Sequence, residues 1–211
     1  MIKATNTLKP RYHSPLHAEV YRLAIVLLYT TGLRRGELVC LKVGDYDPHA
    51  QTLLVRESKF HKSRYLPLSS DTAQETERYL QARRRRHLSV AAETPLVWRG
   101  YGKGFTGQSI WYGLHDLFRI ANIRAPDGRL PRVHDIRHSF AVNALLRWYR
   151  NGSDPQAKLP LLSTYLGHVS VVSTQRYLHF VDELAKESSA RFASRYGMLV
   201  RPLSEPAGDE Q

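Results

Sequence analysis

The chain has 211 residues, enough to bury a sizeable core in one large domain or two small ones. Its 31 Lys and Arg against 19 Asp and Glu give a formal net charge of +12, which favours a polyanionic partner, most commonly nucleic acid. An anionic membrane surface is the alternative to nucleic acid. The sequence has no apolar run of about 18 residues to span a bilayer and no apolar signal-peptide core. Cys40 is the single cysteine, which excludes an internal disulfide or a cysteine-based zinc site. We expect it to be a buried, apolar side chain in a cytoplasmic protein.

The first half of the chain predicts two helices, a hairpin and a third helix. We expect residues 1–13 to be a flexible N-terminal segment, and Ser14 to cap a helix that has proline at its first position and ends before Gly32. A short helix is predicted through "RGELVCL". Two strands, "QTLLVRES" and "RYLPLS", are predicted to pair as a hairpin, and a helix starts at Ser70 and runs into the arginine run 83–86.

The second half predicts more helix. A short strand "TPLVW" precedes a glycine-rich loop, after which Thr106 caps the helix "GQSIWYGLHDLFRIAN". The segment "HDIRHSFAVNALLRWYR" predicts a long helix, and "RNGSDPQAKL" predicts a surface loop. Two short helices, an amphipathic helix at 181–196 and a flexible tail at 197–211 complete a mainly helical fold with one small sheet.

His134, Arg137 and His138 stand within about one and a half turns of the predicted long helix. Two histidines four residues apart could share a metal ion. However, zinc proteases place glutamate beside the first histidine, where this chain has Asp135, and an arginine between the two would repel a dication. The cluster therefore favours an anion over a metal.

Phosphate is the anion that suits the remaining candidates. Arginine presents a planar fork that matches two phosphate oxygens, and Arg34 follows a helix stop directly. Lys59 lies at the predicted hairpin tip, His168 at a glycine break, and Tyr177 carries a hydroxyl that could attack phosphorus. Spacing alone does not bring these groups together. Arg34 could equally be a helix-terminal cation and Tyr177 a core residue.

Four segments in this order resemble the signature blocks of the tyrosine recombinase, or phage integrase, family. They are "YTTGLRRGELVCLKVGDYD", "SKFHKSRYLPLS", "HDIRHSFA" and "LGHVSVVSTQRYLH". The resemblance runs from about residue 14 to residue 196. It implies a tyrosine recombinase catalytic-domain fold over 14–196, of α+β class, mainly α-helical, with a small antiparallel β-sheet.

The resemblance also implies a role for each matched residue. The expected catalytic set is Arg34, Lys59, His134, Arg137, His168 and Tyr177, with Glu37 supporting the site from behind. Tyr177 would be the nucleophile, Lys59 would protonate the leaving oxygen, and His134 would take or orient the tyrosine proton. Lys62 is the alternative to Lys59, and His138 is expected to be structural.

The implied activity is site-specific DNA recombination of the integrase or transposase type, on bacterial mobile elements. It proceeds by metal-independent transesterification through a 3′-phosphotyrosyl intermediate, with no cofactor. The partners would be double-stranded DNA and further copies of the chain, in a tetramer on DNA and a monomer without it. Expected DNA contacts are Lys62, Arg64, Arg35, Arg99 and Lys103.

Three further expectations come from the resemblance. A type IB topoisomerase and a DNA-binding module without activity remain the alternatives. Family members usually carry a separate DNA-clamping domain before the catalytic one. The helix at 181–196 matches the segment that many members dock onto a neighbouring subunit.

Overall fold

A computed structural model gives the structure of most of the chain. It describes residues 1–12, 14–58, 62–168, 170–175 and 177–178, with the backbone alone at 57, 58 and 62. In this part of the chain the helices are α1 (Ile2–Thr5), α2 (His17–Thr31), α3 (Arg35–Cys40), α4 (Ser70–Arg85), α5 (Gly107–Ile120), α6 (Val133–Arg150), α7 (Pro155–Leu166) and α8 (Val172–Gln175). The strands are β1 (Tyr46–Asp47), β2 (Thr52–Ser58), β3 (Lys62–Pro67), β4 (Trp98–Gly100) and β5 (Lys103–Gly104). The predicted α+β, mainly helical class is confirmed.

The start of the chain differs from the prediction. Within the segment expected to be flexible, α1 forms one turn, contacts α2 and α5, and buries Ala4 and Thr5. So short a turn has no periodicity that the sequence could reveal. The prediction that Ser14 caps the next helix was wrong, because α2 starts at His17. Ser14 instead exchanges two backbone hydrogen bonds with Arg11, of 2.9 and 3.2 Å, which close a turn ahead of the helix.

The predicted hairpin is confirmed, with Thr52 opposite Pro67 and Leu53 opposite Leu66. A two-residue strand, β1, adds to its outer edge and makes a three-stranded antiparallel sheet. The strand expected at 94–98 was misplaced. Strand β4 begins only at Trp98 and pairs with β5 across the glycine-rich loop, so the described residues form two small sheets and not one.

The arginine run at the end of α4 is not one uniform basic face. Arg83 is fully buried, and its guanidinium donates to the carbonyl oxygens of Pro95, at 2.8 Å, and Ser89. Residues 84–86 are exposed. Helical spacing therefore turns the first arginine of the run inward and leaves the other three at the surface.

Two further features depart from the prediction, namely the segment at 150–159 and the burial of Cys40. Part of the expected surface loop at 150–159 is helical, because Asp154 caps α7 through the Gln156 N–H at 2.8 Å and Pro155 fills its first position. Cys40 is exposed and not buried. The buried residues of α3 are Glu37 and Leu38, and Cys40 lies about 200° around the helix from Leu38. The predicted helix at 181–196 and tail at 197–211 lie outside the described residues.

Two hydrophobic clusters form the core of the described chain. The larger one surrounds α2 and joins it to α4, α5 and the main sheet. The smaller one lies between α6 and α7, and its buried members are Ala141, Leu145, Leu159, Leu162, Leu166 and Tyr177. The second cluster therefore links α6, which carries the third signature segment, and α7 to the candidate nucleophile.

Among the described helices, none combines the length and the apolar character needed to cross a membrane.

Gly113 sets the approach of α5 to α2. A Cβ atom at this position would lie 1.9 Å from the Tyr21 hydroxyl oxygen, whereas one at Gly36 in α3 would meet nothing within 4 Å. Alanine favours helix over glycine by roughly 1 kcal/mol at both positions, but overpacking costs about 1–3 kcal/mol. We expect Gly113→Ala to lower the urea midpoint of unfolding and Gly36→Ala to raise it. A Gly113→Ala protein as stable as the wild type would contradict this packing.

Candidate active site

The end of α7 gathers three arginines. Three successive backbone carbonyl groups there each accept a hydrogen bond from a different guanidinium. The pairs are Arg64 Nε with the Tyr165 oxygen at 2.9 Å, Arg137 Nη2 with the Leu166 oxygen at 2.7 Å, and Arg34 Nη2 with the Gly167 oxygen at 2.8 Å. The last carbonyls of a helix have no partner within it and carry the negative end of its dipole. Three segments distant in sequence therefore meet at one helix terminus.

Arg34 is placed by the start of α3. It is the residue before the helix, in an extended conformation, and its backbone N–H donates to Glu37 Oε2 at 2.9 Å. The Arg34 guanidinium also donates to Glu37 Oε1 at 2.8 Å. An acidic residue three positions into a helix commonly caps it in this way, so "RRGE" fixes the arginine and its counter-ion locally.

Glu37 is the counter-ion of a second arginine as well. Both terminal nitrogens of Arg64 donate to its two carboxylate oxygens, at 3.0 and 2.9 Å, and the Glu37 side chain is only 7% exposed. Burial alone would raise the pKa of this carboxyl. The hydrogen bonds from Arg64 and Arg34, together with their charges, outweigh burial and hold the pKa below its ordinary value.

Arg137 is the most enclosed cation of the site. Its residue is 1% exposed, and its Nη1 donates to the Gly32 carbonyl at the end of α2 at 2.6 Å. Its buried Nε has no hydrogen-bond partner among the described residues. Burial and then the Arg34 charge lower its pKa to about 10. An unmatched donor on a destabilised cation is a position where an anion would be stabilised.

Tyr177 is fully buried in the smaller core cluster. Its hydroxyl lies 2.9 Å from His138 Nδ1. The sequence assigned the tyrosine proton to His134 and a structural role to His138. The structure instead brings His138 to the tyrosine oxygen, while the exposed His134 packs edge-on against His138 at 4.6 Å between ring centres. Spacing along the helix could not tell which histidine faces the tyrosine.

Thr174 joins His168 to Tyr177, and sequence reasoning missed it. His168 Nδ1 lies 2.8 Å from the Thr174 hydroxyl, and the Tyr177 backbone N–H donates to the Thr174 carbonyl at 3.0 Å. Thr174 is fully buried on α8. No residue type or motif would have singled it out, since its role depends on the turn that returns the chain to the site.

The predicted DNA contacts separate into three groups. Arg64 is not placed as a surface contact, because its side chain is 12% exposed and is committed to Glu37 and to a carbonyl. Arg35, Arg99 and Lys103 are exposed, the first beside the start of α5 and the others at the β4–β5 hairpin. Lys59 and the side chain of Lys62 lie outside the described residues.

Across the described ranges, no three or more His, Cys, Asp and Glu side chains form a group that could hold a metal ion.

The fold brings Arg, His and Tyr side chains from distant segments into one cluster. The model of the Phage integrase family matches residues 3–183. The chain therefore belongs to this family, which confirms the resemblance drawn from its motifs. A protein of Sinorhizobium fredii named as an integrase/recombinase, y4rB, is 42% identical over 172 residues, which are 81% of this chain and 54% of that protein.

Solved structures agree on the fold. The crystal structure of XerA recombinase matches 90% of this chain and 59% of its own chain, with 25% identity and a TM-score of 0.67. XerH site-specific recombinase, bound to a palindromic difH substrate after cleavage, matches 90% of this chain and 49% of its own, with 21% identity and a TM-score of 0.67. The chain thus spans about half the length of the proteins it matches.

Glu37→Gln tests the electrostatics of the arginine cluster. Removing one partner of a buried ion pair costs about 3–5 kcal/mol, so we expect a loss of roughly that size in the free energy of unfolding at pH 7. The folded-state pKa lies below the ordinary 4.5. The loss of stability in Glu37→Gln should therefore persist from pH 7 down to about pH 4.5. It should shrink as the pH falls further, through the lowered folded-state pKa of Glu37.

Glu93→Gln is the matched control, since Glu93 is 83% exposed and pairs with Lys42 at the surface. It should leave the free energy of unfolding nearly unchanged, because exposed ion pairs contribute little to stability. Denaturant unfolding of both variants between pH 7 and pH 3 makes the measurement. Equal losses at pH 7 would refute a stabilising role for Glu37.

Proposed function

We propose that this chain is the catalytic domain of a site-specific DNA recombinase of the integrase type. The observation that carries this is the convergence of Tyr177, Arg34 and Arg137 at the end of α7 from segments far apart in sequence. The matched relative is named an integrase/recombinase, and the XerH structure contains its DNA substrate. Double-stranded DNA is the substrate of this proposal, self-assembly on DNA forms its active state, and the cytoplasm is its location.

The reaction is a transesterification. The Tyr177 oxygen attacks the scissile phosphorus and forms an oxygen–phosphorus bond, while the bond to the 5′-oxygen breaks and leaves a 3′-phosphotyrosine. His138 accepts the phenolic proton, since its Nδ1 lies 2.9 Å from the hydroxyl. Lys59 delivers a proton to the departing 5′-oxygen. Attack by a 5′-hydroxyl from another strand reverses these steps and rejoins the DNA.

Arg34 and Arg137 stabilise the charge that develops on the phosphate. Preorganised donors of this kind are worth roughly 3–4 kcal/mol each. Glu37 and Arg64 act as positioning residues, because they hold Arg34 against the end of α7. Their side chains are only 7% and 12% exposed. His168 adds a hydrogen bond to a non-bridging oxygen, and Thr174 fixes its ring.

Access to the phosphate requires a rearrangement. Tyr177 and Arg137 are 0% and 1% exposed, so neither can touch a DNA backbone in the described state. DNA binding must therefore displace the segment that carries Tyr177 from the cluster between α6 and α7. Arg35, Arg99 and Lys103 are exposed, and they contact the DNA phosphates. These contacts favour the state in which Tyr177 has left the cluster. A type IB topoisomerase or an inactive DNA-binding module gains no support from the relatives.

Tyr177→Phe should abolish the covalent intermediate. We expect the wild-type chain, incubated with nicked and supercoiled DNA in EDTA, to form a protein–DNA adduct that survives a denaturing gel. The variant lacks the attacking oxygen and should form none, while it retains the native gel shift. The trapped DNA can then be sequenced to find the site. A persistent adduct in the variant would assign the nucleophile elsewhere.

His138→Ala tests the proton acceptor. We expect the rate of adduct formation to fall by about 10²–10⁴, the contribution of a positioned general base, with the DNA gel shift preserved. His49→Ala is the control, because His49 is exposed in the turn after β1. Both rates are measured over a pH series. If His138→Ala cleaves DNA at the wild-type rate, the acceptor of the tyrosine proton is His134 or water.

A further inference from the structure

A cationic cavity lies at the opposite end of α2 from the candidate active site. It has a volume of about 220 Å³ and lies where the turn before α2 meets the β4–β5 hairpin and α5. Its lining includes Arg11, Ser14, His17, Tyr21, Arg99 and Ser109. The signature motifs and the chemical steps of the proposed reaction do not use this cavity, although Arg99 in its lining is one of the proposed DNA contacts.

Two buried polar atoms of this lining have no hydrogen-bond partner within the described part of the chain. Ser14 Oγ and His17 Nδ1 make no hydrogen bond to any described residue, although their residues are only 6% and 8% exposed. The His17 ring packs edge-on against Tyr21 at 5.1 Å between ring centres. Leaving such buried groups unmatched destabilises a fold, so a ligand that satisfies both would be favoured.

The charge around these atoms is positive. Arg11 and Arg99 are exposed at the rim, and the cavity lining contains no carboxylate among the described residues. Burial and then the Arg11 charge lower the pKa of His17. His17 and Ser109 lie in the first turns of α2 and α5, where the helix dipoles present their positive ends. Asp116 acts on Tyr21 from outside the lining and pairs with Arg119.

We propose that this cavity binds a phosphate group. Two guanidinium groups, a hydroxyl and an imidazole provide charge and hydrogen bonds of the kind that a tetrahedral oxyanion accepts. The α2 helix separates this cavity from the arginine cluster by 15 residues, or about 22 Å. The group bound here is therefore not the scissile phosphate.

Two sources could supply this phosphate. A free phosphate could enter from solvent through the rim. A DNA backbone could supply one about six steps along a strand from the cut, at about 3.4 Å per step, and this source rests on the proposed function. The binding chemistry is the same, so the experiment below separates the two sources.

The first arm uses inorganic phosphate and thermal unfolding of the full chain at constant ionic strength. We expect phosphate to raise the wild-type midpoint, and Arg99→Ala and Ser14→Ala to weaken the apparent affinity roughly tenfold or more, by loss of a hydrogen bond to a charged group. Ser14→Ala also removes an unmatched hydroxyl, so it should be at least as stable as the wild type without phosphate. Arg124→Ala removes an exposed arginine outside the cavity and should respond like the wild type.

The second arm measures DNA affinity against salt concentration for the wild type and Arg11→Ala, because Arg99 is already a proposed DNA contact in its own right. A slope of log affinity against log salt whose magnitude falls by about one in this variant identifies a backbone phosphate in the cavity. A phosphate response that the variants lose, with an unchanged slope, identifies a free phosphate. No wild-type response beyond that to sodium chloride, together with an unchanged slope, overturns the proposal. Because the first arm needs no DNA cleavage, failure of the recombinase proposal would leave its result intact.

Discussion

The C-terminal end of α7 is the feature on which the rest of the site depends. It carries carbonyl groups that have no partner within the helix, and a partial negative charge of roughly half an elementary unit. Arg34, Arg64 and Arg137 meet there and would repel one another without it. Glu37 adds one full negative charge between two of them. The cluster stays net positive after this compensation, which suits a site that must receive a phosphate.

Two glycines make this convergence possible. Gly167 ends α7 with φ of 66°, and a Cβ atom there would lie 2.9 Å from Arg64 Nη1. Gly32 ends α2 with φ of 62°, offers its carbonyl to Arg137, and would clash with Phe140 if it carried a side chain. Both helices therefore stop in the left-handed conformation that glycine tolerates, and both stops bring main-chain oxygen to an arginine. The glycines that end these helices in the signature segments therefore also place carbonyl oxygens against arginine side chains.

The sequence predicted what is encoded locally. The hairpin of β2 and β3 and the long α6 helix depend on patterns within a few residues. It could not predict burial that depends on tertiary placement. Arg83 and Arg64 look like surface cations in the sequence, but the fold turns both inward onto carbonyl groups. The choice of His138 over His134 as the tyrosine's partner likewise depends on how the chain returns after α7.

The acceptors at the end of α7 belong to the main chain, and this has a consequence for the evolution of the domain. A side chain that changes at position 165 or 166 still leaves its carbonyl oxygen in place for the arginine. Substitutions there need no matching change at the arginine positions. Pairwise covariation among homologous sequences should therefore be weak between these positions, although the polar contacts join three distant segments. A method that infers contacts from correlated substitutions would miss the interaction that holds these candidate site residues together.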